Sequence, residues 1–469
     1  MSKTSDPPPP HRPSRPPTSR LGRLARLGAL GTRALPLAVE GAKRALGSKR
    51  TEEEELVARE KMLADAKKTA EAMLKTLGEM KGLPLKLGQM ASYIDGLAPP
   101  GYEEKFQQVL KKLQDKAPPL SAEAARKVIR EELGAVPEEV FASWEPEPFA
   151  AASIGQVHRA TTRAGEAVAV KVQYPGIDKA IENDLKSLSL LESFASPLAR
   201  KYQTKETLEE IKAVFLAELD YTREAQNADL FRRIFADTAD IVVPHVHHSL
   251  TTKRVLTVEY IDGRSYQEVC ESGSQEERNA AGATIWRFMF RSLLVHGLLY
   301  ADPHPGNYRF LGGGKVAFLD YGCVKEIPEE LLSGIKRYMR AALDADWEEF
   351  DKACVEVLGF DREDQASWDL YRSYTLELLL PLTLRGPYQC SPEGARETVA
   401  FLVRGHRNLA AQSERRLPVL PNLPKPPPDL TFMNRLQWGL ASVLGGLRTE
   451  TRFRDLTEPW VRAPYQPLS

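Results

Sequence analysis

Residues 301–307 read Ala301-Asp302-Pro303-His304-Pro305-Gly306-Asn307, and residues 320–322 read Asp320-Tyr321-Gly322. Asn307 lies five positions after Asp302, and Asp320 lies thirteen positions after Asn307. A carboxylate can accept a proton from an attacking hydroxyl, and carboxylate and amide oxygens are ligands that Mg²⁺ prefers. The stretch therefore predicts a proton acceptor, Asp302, and two metal ligands, Asn307 and Asp320. The spacing alone also suits a structural loop, because Asp and Asn cap helices and form turns.

The order of these residues matches the catalytic segment of protein kinases. There the pattern H-R-D-x-x-x-x-N supplies the catalytic Asp and a metal-binding Asn, and D-F-G follows. Asp302 and Asn307 take the first two positions, and Asp320-Tyr321-Gly322 takes the place of D-F-G.

A second kinase-like segment lies upstream. Residues 150–157 read A-x-A-x-x-G-x-V, which is the kinase glycine-rich loop with alanine at its first two glycine positions. Lys171 follows in an alternating apolar segment, residues 167–172, as the nucleotide-contacting lysine does in kinases. Alone, this segment would also suit a surface hairpin with an exposed lysine, but its order before Asp302 favours the kinase-like interpretation. The residues expected to contact the nucleotide are Ala150, Ala151, Ala152, Ser153, Gly155, Val157, Lys171, Glu259 and Ile261.

Several further motifs, in order, resemble the UbiB/AarF (ADCK-type) family of atypical kinases. They are Lys86-Leu87-Gly88-Gln89, Ser153-Ile154-Gly155-Gln156-Val157-His158, Lys171-Val172-Gln173-Tyr174-Pro175-Gly176, Glu218-Leu219-Asp220, Arg223-Glu224-Ala225 and residues 302–307. The motifs run from about residue 80 to 325, and a looser similarity extends to about 450.

The resemblance implies roles that the residues alone do not decide. On sequence alone, Lys86 and Gln89 read as a solvated helix edge. The resemblance places them in the nucleotide cleft, on a helical extension that blocks peptide-like substrates. It also pairs Glu224 with Lys171, and brings Glu218 and Asp220 to Lys86 or to the metal.

Hydrophobic periodicity predicts the elements that carry these motifs. One continuous helix over residues 206–231 would carry the three acids, with apolar positions that include Leu208, Ile211, Phe215, Leu216, Leu219 and Leu230. Residues 177–200 read as an inserted helix, 276–299 as the helix that delivers the catalytic loop, and 432–447 as a last helix. Residues 255–263 read as a buried strand leading to a hinge, where the backbone near Glu259 and Ile261 would bond adenine.

These elements predict an α+β fold, bilobal and protein-kinase-like, with an N-terminal helical extension and a C-terminal helix. The predicted divisions are a basic, proline-rich tail (1–50), the helical extension (51–145), an N-lobe (146–263), a C-lobe (264–415), and a proline-rich strap with the last helix (416–469).

Composition excludes several other classes of protein. The cysteines Cys270, Cys323, Cys354 and Cys390 lack C-x-x-C pairing, which argues against a disulfide framework or a zinc site. His245, His247 and His248 read as surface histidines. No apolar run approaches the roughly 18 residues that span a bilayer. We expect a cytoplasmic protein without a transmembrane helix.

The net charge of zero conceals a basic N-terminus, since residues 1–50 hold eleven Lys or Arg and two acids. Residues 20–49 alternate Arg with Leu and Ala, which suits a helix lying peripherally on an anionic membrane. An organellar targeting peptide and a solvated tail are the alternatives. No pattern beyond this tail indicates a nucleic-acid partner.

Two absences narrow the function. Residue 301 is Ala where protein kinases have Arg, so a phosphorylated loop has no such partner. A helix is predicted within about ten residues of Asp320-Tyr321-Gly322, which leaves no activation segment for a peptide substrate. The sequence thus favours a Mg²⁺-dependent ATPase, or a kinase acting on a small molecule, lipid or quinone intermediate, with ATP or ADP bound. The alternatives are a non-catalytic nucleotide-sensing scaffold and, disfavoured by these absences, a conventional protein kinase.

Overall fold

The computed structural model of the chain describes residues 121–152, 154–183, 216–398, 400–401 and 429–467. The described residues divide into two units, one holding residues up to 183 together with His247–Tyr260 and the other holding the rest. Several predictions lie outside the described residues: the basic tail, the helix with Lys86 and Gln89, residue Ser153, and the proline-rich strap.

The described elements are numbered along the chain. The strands are β1 (Ser143–Trp144), β2 (Ala150–Ala151), β3 (Gly155–Thr161), β4 (Ala167–Gln173), β5 (Ile241–Val242), β6 (Val255–Glu259), β7 (Leu298–Tyr300), β8 (Tyr308–Phe310), β9 (Val316–Phe318), β10 (Val324–Glu326), β11 (Tyr388–Gln389) and β12 (Glu450–Thr451). The helices are α1 (Ala122–Leu133), α2 (Pro137–Val140), α3 (Tyr221–Ile234), α4 (Tyr266–Ser272), α5 (Gln275–His296), α6 (Glu329–Asp344), α7 (Trp347–Leu358), α8 (Gln365–Leu378), α9 (Leu380–Thr383), α10 (Asp429–Leu447) and α11 (Phe453–Arg462).

The first unit is built on an antiparallel sheet in the order β1-β3-β4-β6, with β2 paired to β3. Side chains alternate between the two faces of a strand. Val168, Val170 and Val172 of β4 therefore share one face, where they join a buried cluster with Val128 and Ile129 of α1. Lys171 is directed to the opposite face of the sheet.

The second unit is organised around α5 and a cluster of buried aromatic rings. The rings of Phe288 and Phe318 stack with centroids 3.6 Å apart, and Phe231 lies 5.1 Å from Phe288 and 5.3 Å from Tyr321. This unit also holds two small sheets, β7–β10 and β5–β9–β8. Asp302 follows β7, Asn307 precedes β8 and Asp320 follows β9. The rings give these short strands a rigid apolar base, because aromatic side chains bury large areas.

The predicted helix over residues 206–231 is corrected in its described part. The helix that carries Glu224 begins at Tyr221, and Asp220 is its N-cap, with φ −124° and ψ 95°. The Asp220 carboxylate accepts hydrogen bonds from the N–H of Thr222 at 3.0 Å and from its hydroxyl at 2.6 Å. Asp favours this position because its side chain satisfies an unpaired backbone donor. Leu216, predicted to be apolar core, is 48% exposed.

The other predicted elements agree with the structure where it describes them, with changes at their ends, while residues 184–215 lie outside the described ranges. The chain is helical from residue 177 to the last described residue of that segment, 183. The helix predicted over 276–299 is Gln275–His296 and ends at Gly297, whose φ of 67° suits glycine. Residues 298–300 then form β7. The predicted strand ends at Glu259 rather than 263, and the last helix extends further back, to Asp429.

Substitution of Gly282 tests how closely α5 packs against Thr449. A Cβ on Gly282 would lie 2.0 Å from the Thr449 hydroxyl and 2.5 Å from its methyl. Gly282→Ala should therefore destabilise the protein by about 1–3 kcal/mol, since overpacking outweighs the gain of about 1 kcal/mol in helix propensity. The free energy of unfolding from urea titration checks this. Adding Thr449→Ala should recover part of the loss, whereas a stabilised Gly282→Ala protein would contradict the packing.

Candidate active site

Asp302 follows a strand that is paired to the segment after Gly322. β7 and β10 are antiparallel, with Tyr300 opposite Val324, and the Ala301 N–H donates to the Cys323 carbonyl at 2.9 Å. The two motifs predicted from the sequence are therefore brought side by side within the second unit.

Asn307 is joined directly to Asp302. Its Nδ2 donates to the Asp302 carbonyl at 3.0 Å and makes a longer contact, 3.4 Å, with the Asp302 carboxylate. The His304 N–H also donates to the Asp302 carbonyl, at 2.7 Å, and His304 Nδ1 accepts from the Gly306 N–H at 2.9 Å. These bonds hold the loop in a compact turn. Because the Asn307 nitrogen is used towards Asp302, its amide oxygen is the atom suited to a cation.

Asp320 comes next to Asn307 through the β8–β9 pair. Tyr308 pairs with Phe318 in that ladder, and the Leu319 N–H donates to the Asn307 carbonyl at 2.9 Å. Asp320 Oδ1 accepts from the Gly322 N–H at 2.9 Å, which fixes the turn. Of the two predicted metal ligands, Asn307 thus precedes β8 and Asp320 follows β9, its partner strand. Both side chains carry hard oxygen atoms.

Helix α3 holds the Asp320-Tyr321-Gly322 turn. Asn227 Nδ2 donates to the Tyr321 carbonyl at 2.9 Å, and Glu224 Oε1 lies 3.4 Å from the Tyr321 N–H. A Cβ on Gly322 would lie 3.2 Å from Asp320 Oδ1 and 3.7 Å from Glu224 Oε2. Glycine at this position therefore leaves room beside two carboxylates.

The acids of this region are buried in the second unit. Glu218 and Glu224 are 7% and 6% exposed, while Asp220 caps α3 as described above. Burial raises the pKa of the Tyr300 and Tyr321 phenols well above the ordinary value, and the Asp320 carboxylate raises both further. Both phenols therefore stay neutral at physiological pH. The pairing of Glu224 with Lys171, and the roles of Glu218 and Asp220 towards Lys86 or a metal, stay predictions.

The described residues predicted to contact the nucleotide lie in the first unit, except Ile261, which belongs to the second. Ala152 closes a tight turn between β2 and β3, since its N–H donates to the Gly155 carbonyl at 2.9 Å. Val157 pairs with Lys171 across β3 and β4, so the two share one face of the sheet. Lys171 is 9% exposed.

The predicted adenine-binding backbone begins where β6 ends. Glu259 pairs with Val168 in the ladder, and the Tyr260 N–H donates to the Ala167 carbonyl at 2.9 Å. Within the described ranges, the Ile261 N–H donates to no backbone carbonyl.

His158 lies on the opposite face of β3 from Val157 and is fully buried. Its Nδ1 lies 3.0 Å from the Glu145 carbonyl, its Nε2 lies 3.0 Å from Gln156 Nε2, and its ring stacks on Trp144 at 4.4 Å. Burial lowers the pKa of His158 to about 4. The neutral ring with its proton on Nδ1 satisfies both contacts.

The lowered pKa of His158 predicts a loss of stability in mild acid. Because the unfolded chain takes up the proton near pH 6.5 and the folded chain only near pH 4, stability falls as the pH falls between these values. Relative to His158→Gln, the free energy of unfolding of the wild type should fall by about 1.4 kcal/mol for each pH unit between these two values. Urea unfolding at about pH 7 and about pH 5 checks this. The exposed His248→Gln variant should follow the wild type, and parallel curves for His158→Gln and wild type would contradict the burial argument.

Sequence reasoning missed Asn227 and His304. Asn227 lies one helical turn after Glu224, so the same-face rule for helices places it beside Glu224 but does not indicate its distant partner, Tyr321. His304 lies within the loop that carries Asp302 and Asn307, where the sequence pattern indicates no role for it. It acts as the local cap of the turn that carries Asn307.

The described residues also bear on metal clusters, on the histidines and cysteines, and on membrane-spanning helices. In the described ranges no group of three or more His, Cys, Asp or Glu side chains is arranged to hold a metal. His245 and His248 are exposed, and Cys270, Cys323, Cys354 and Cys390 form no disulfide among the described residues. No described helix is both long and apolar enough to cross a membrane.

Comparison with known proteins matches this chain to one family. The model of the ABC1 atypical kinase-like domain matches residues 112–354. The rat protein named atypical kinase COQ8B, mitochondrial, is 30% identical over 393 residues, which cover 82% of this chain and 71% of that protein. The Arabidopsis thaliana protein named ACTIVITY OF BC1 COMPLEX KINASE 3, chloroplastic, is 37% identical over 271 residues, 56% of this chain. That match spans only 37% of the Arabidopsis protein.

A solved structure shares the fold. The Mycobacterium tuberculosis protein Rv3197, solved in complex with erythromycin, aligns with a TM-score of 0.60 at 27% identity, over 86% of this chain and 97% of that protein. This likeness confirms the predicted kinase-like α+β fold class.

Proposed function

Because the chain belongs to the ABC1 atypical kinase-like family, we propose that it is an ATP-dependent phosphotransferase or ATPase whose reaction centre is Asp302, Asn307 and Asp320. The membership also confirms the predicted resemblance to the UbiB/AarF family. The observation that carries the proposal is the joining of these three residues within one unit, through the Asn307–Asp302 bonds and the β7–β10 and β8–β9 pairs.

The donor set suits Mg²⁺ bound together with phosphates. Mg²⁺ keeps several waters and is commonly held by one or two protein oxygens plus phosphate oxygens, rather than by a protein cage. Asn307 and Asp320 supply an amide and a carboxylate oxygen, which agrees with the lack of a larger acidic cluster in the described ranges. The metal would neutralise charge that develops on the transferred phosphoryl group.

The protein's own groups take separate roles. Asp302 accepts the proton of the attacking hydroxyl or water, while Asn307 keeps the Asp302 loop in its turn. Lys171 places a positive charge against the nucleotide phosphates. The turn at Ala152 and the backbone after Glu259 bind the remainder of the nucleotide.

We propose that the acceptor of the phosphoryl group is a small molecule or lipid of ubiquinone or isoprenoid-lipid metabolism. We also propose that residues 20–49 contact an anionic membrane. The family resemblance supports a small-molecule or lipid acceptor, and so do two features of the segment that follows Gly322. Cys323 leads directly into β10, and α6 begins at Glu329. The six residues between Gly322 and Glu329 are too few for a peptide platform of the protein-kinase kind.

Replacement of Lys171 tests the proposal. Lys171→Met should weaken MgATP binding at least about tenfold, because a charge-assisted hydrogen bond is worth about 1.5–3 kcal/mol. Titration followed by thermal shift and by phosphate release measures this. Lys179→Met, which removes an exposed lysine, is the matched control and should resemble wild type. Equal affinities for Lys171→Met and wild type would contradict the role of Lys171. A wild type that binds nucleotide without turnover would favour the scaffold instead.

A further inference from the structure

An apolar cavity of about 100 Å³ lies within the second unit, among α5, α6, α8, α9, the 392–398 segment and α10. Its base consists of buried aliphatic side chains, Leu293, Met339, Leu379, Leu382, Leu436 and Leu440. These residues include none of the proposed reaction centre.

Several polar atoms of the lining already form hydrogen bonds within the protein. Trp438 Nε1 donates to the Tyr374 hydroxyl at 2.7 Å, the Thr398 hydroxyl donates to the Gly394 carbonyl at 3.0 Å, and Ser391 Oγ accepts from the Gly394 N–H at 3.0 Å. Burial also keeps the Cys390 thiol neutral, with its pKa raised to about 12. A water in the cavity would need two or more polar partners, so such a lining favours an apolar occupant.

The volume limits the size of that occupant. An engineered apolar cavity of about 150 Å³ holds benzene. The smaller cavity here suits a branched alkyl group of about four or five carbon atoms.

One side of the lining is charged and open to solvent. Glu377 is exposed and is the charged side chain among the described lining residues. Tyr388 is a half-buried lining residue whose pKa is raised by burial and, through charge, by Cys390 and the Glu377 carboxylate. A ligand that places its alkyl group inside would therefore present its other end to a carboxylate, which attracts a cation or a hydrogen-bond donor and repels an anion.

The wall of the cavity is in contact with the catalytic loop. Gly439 of α10 is buried, and a Cβ there would lie 2.5 Å from Pro303 Cγ, in the residue after Asp302. Leu436 and Leu440 of the same helix line the cavity. A shift of α10 on ligand binding would therefore reach the Asp302 loop through the close approach of Gly439 to the Pro303 ring.

We propose that this cavity is a regulatory site for an amphipathic small molecule, which inserts a branched alkyl group of about five carbons and presents a cationic or hydrogen-bond-donating end to Glu377. Occupancy acts on the Asp302 loop through Gly439 and Pro303. The regulatory half rests on the proposed function, and the binding half stands without it.

Three probes of one shape test the binding half: 3-methylbutylamine, 3-methylbutanol and 3-methylbutanoate. Ligand-detected NMR titration of the full-length protein should give affinities in that order, with the amine about tenfold tighter than the carboxylate. Glu377→Gln should bring the amine and carboxylate within about twofold of each other. The control is Glu393→Gln, which removes an exposed acid paired with Arg396 and should keep the wild-type order.

Filling the cavity supplies the second arm. Ala441→Leu or Ala395→Leu should weaken all three probes at least about tenfold, since each adds side-chain volume to the lining. Equal affinities of the wild type for the three probes, or unchanged binding in a folded Ala441→Leu protein, would overturn the site. If Ala441→Leu does not fold, the comparison of the amine and carboxylate affinities between wild type and Glu377→Gln tests the site by itself.

Coupling is measured by binding, so that it does not depend on turnover. Saturating MgATP should change the affinity for 3-methylbutylamine by about fivefold or more, because linkage between two sites is reciprocal. An unchanged affinity in a protein that binds MgATP would overturn the regulatory half. A protein that binds the amine but no nucleotide would instead count against the proposed function.

Discussion

Asp302→Asn is expected to lower phosphate release from MgATP by about a hundredfold or more while leaving MgATP affinity within about threefold. The amide cannot accept the proton of the attacking group, but it can keep the contact with Asn307 Nδ2 through its oxygen. The backbone carbonyl of residue 302, which accepts from Asn307 and His304, is unchanged. Steady-state phosphate release and a nucleotide titration on the same preparation separate the rate from the affinity.

The matched control for this change is Asp178→Asn, which neutralises an exposed carboxylate. It should leave both quantities at their wild-type values. A parallel loss of affinity and rate in Asp302→Asn would show that Asp302 serves as a ligand of the nucleotide complex rather than as a proton acceptor.

Asp320→Asn should weaken MgATP binding at least about tenfold and remove hydrolysis, since Mg²⁺ strongly favours a charged oxygen ligand. The fold should be spared, because the Asn oxygen can still accept from the Gly322 N–H that Asp320 Oδ1 now binds. Binding of ATP in the presence of a chelator should change much less. Calorimetric titration with and without Mg²⁺ measures the difference.

Normal Mg²⁺ dependence in Asp320→Asn would contradict the assignment of the metal ligand. A folded Asp320→Asn protein that loses ATP binding equally with and without Mg²⁺ would instead indicate damage to the nucleotide site as a whole.

The local geometry around Asp302 and Lys171 could be predicted because its signals are local, whereas the catalytic roles of these residues stay predictions. The five-residue interval from Asp302 to Asn307 closes one short turn, and the structure joins the two residues by a hydrogen bond of 3.0 Å. Residues 167–172 alternate in hydrophobicity, and they form β4 with Lys171 facing away from the buried valines. Such patterns depend on neighbouring residues alone.

The errors arose where one residue type serves two structures. The apolar pattern places Asp220 inside the helix that carries Glu224, but an Asp can also end the preceding segment by capping the next helix. The apolar pattern also extends the helix predicted over 276–299 through Gly297, where a glycine in the left-handed conformation ends it.

Contacts between distant segments were out of reach of any such pattern. Asn227 bonds the Tyr321 carbonyl across 94 positions, and Gly439 approaches Pro303 from the last third of the chain. Both depend on how helices pack over the strands, which hydrophobic spacing alone does not specify.

The most direct test of a catalytic centre at Asp302, Asn307 and Asp320 is phosphate release from saturating MgATP by the full-length protein, with Asp302→Asn/Asp320→Asn as the blank. We predict steady release that requires Mg²⁺ and falls to the background rate in the double variant. Nucleotide binding by the wild type with release no faster than that of the double variant would contradict the account.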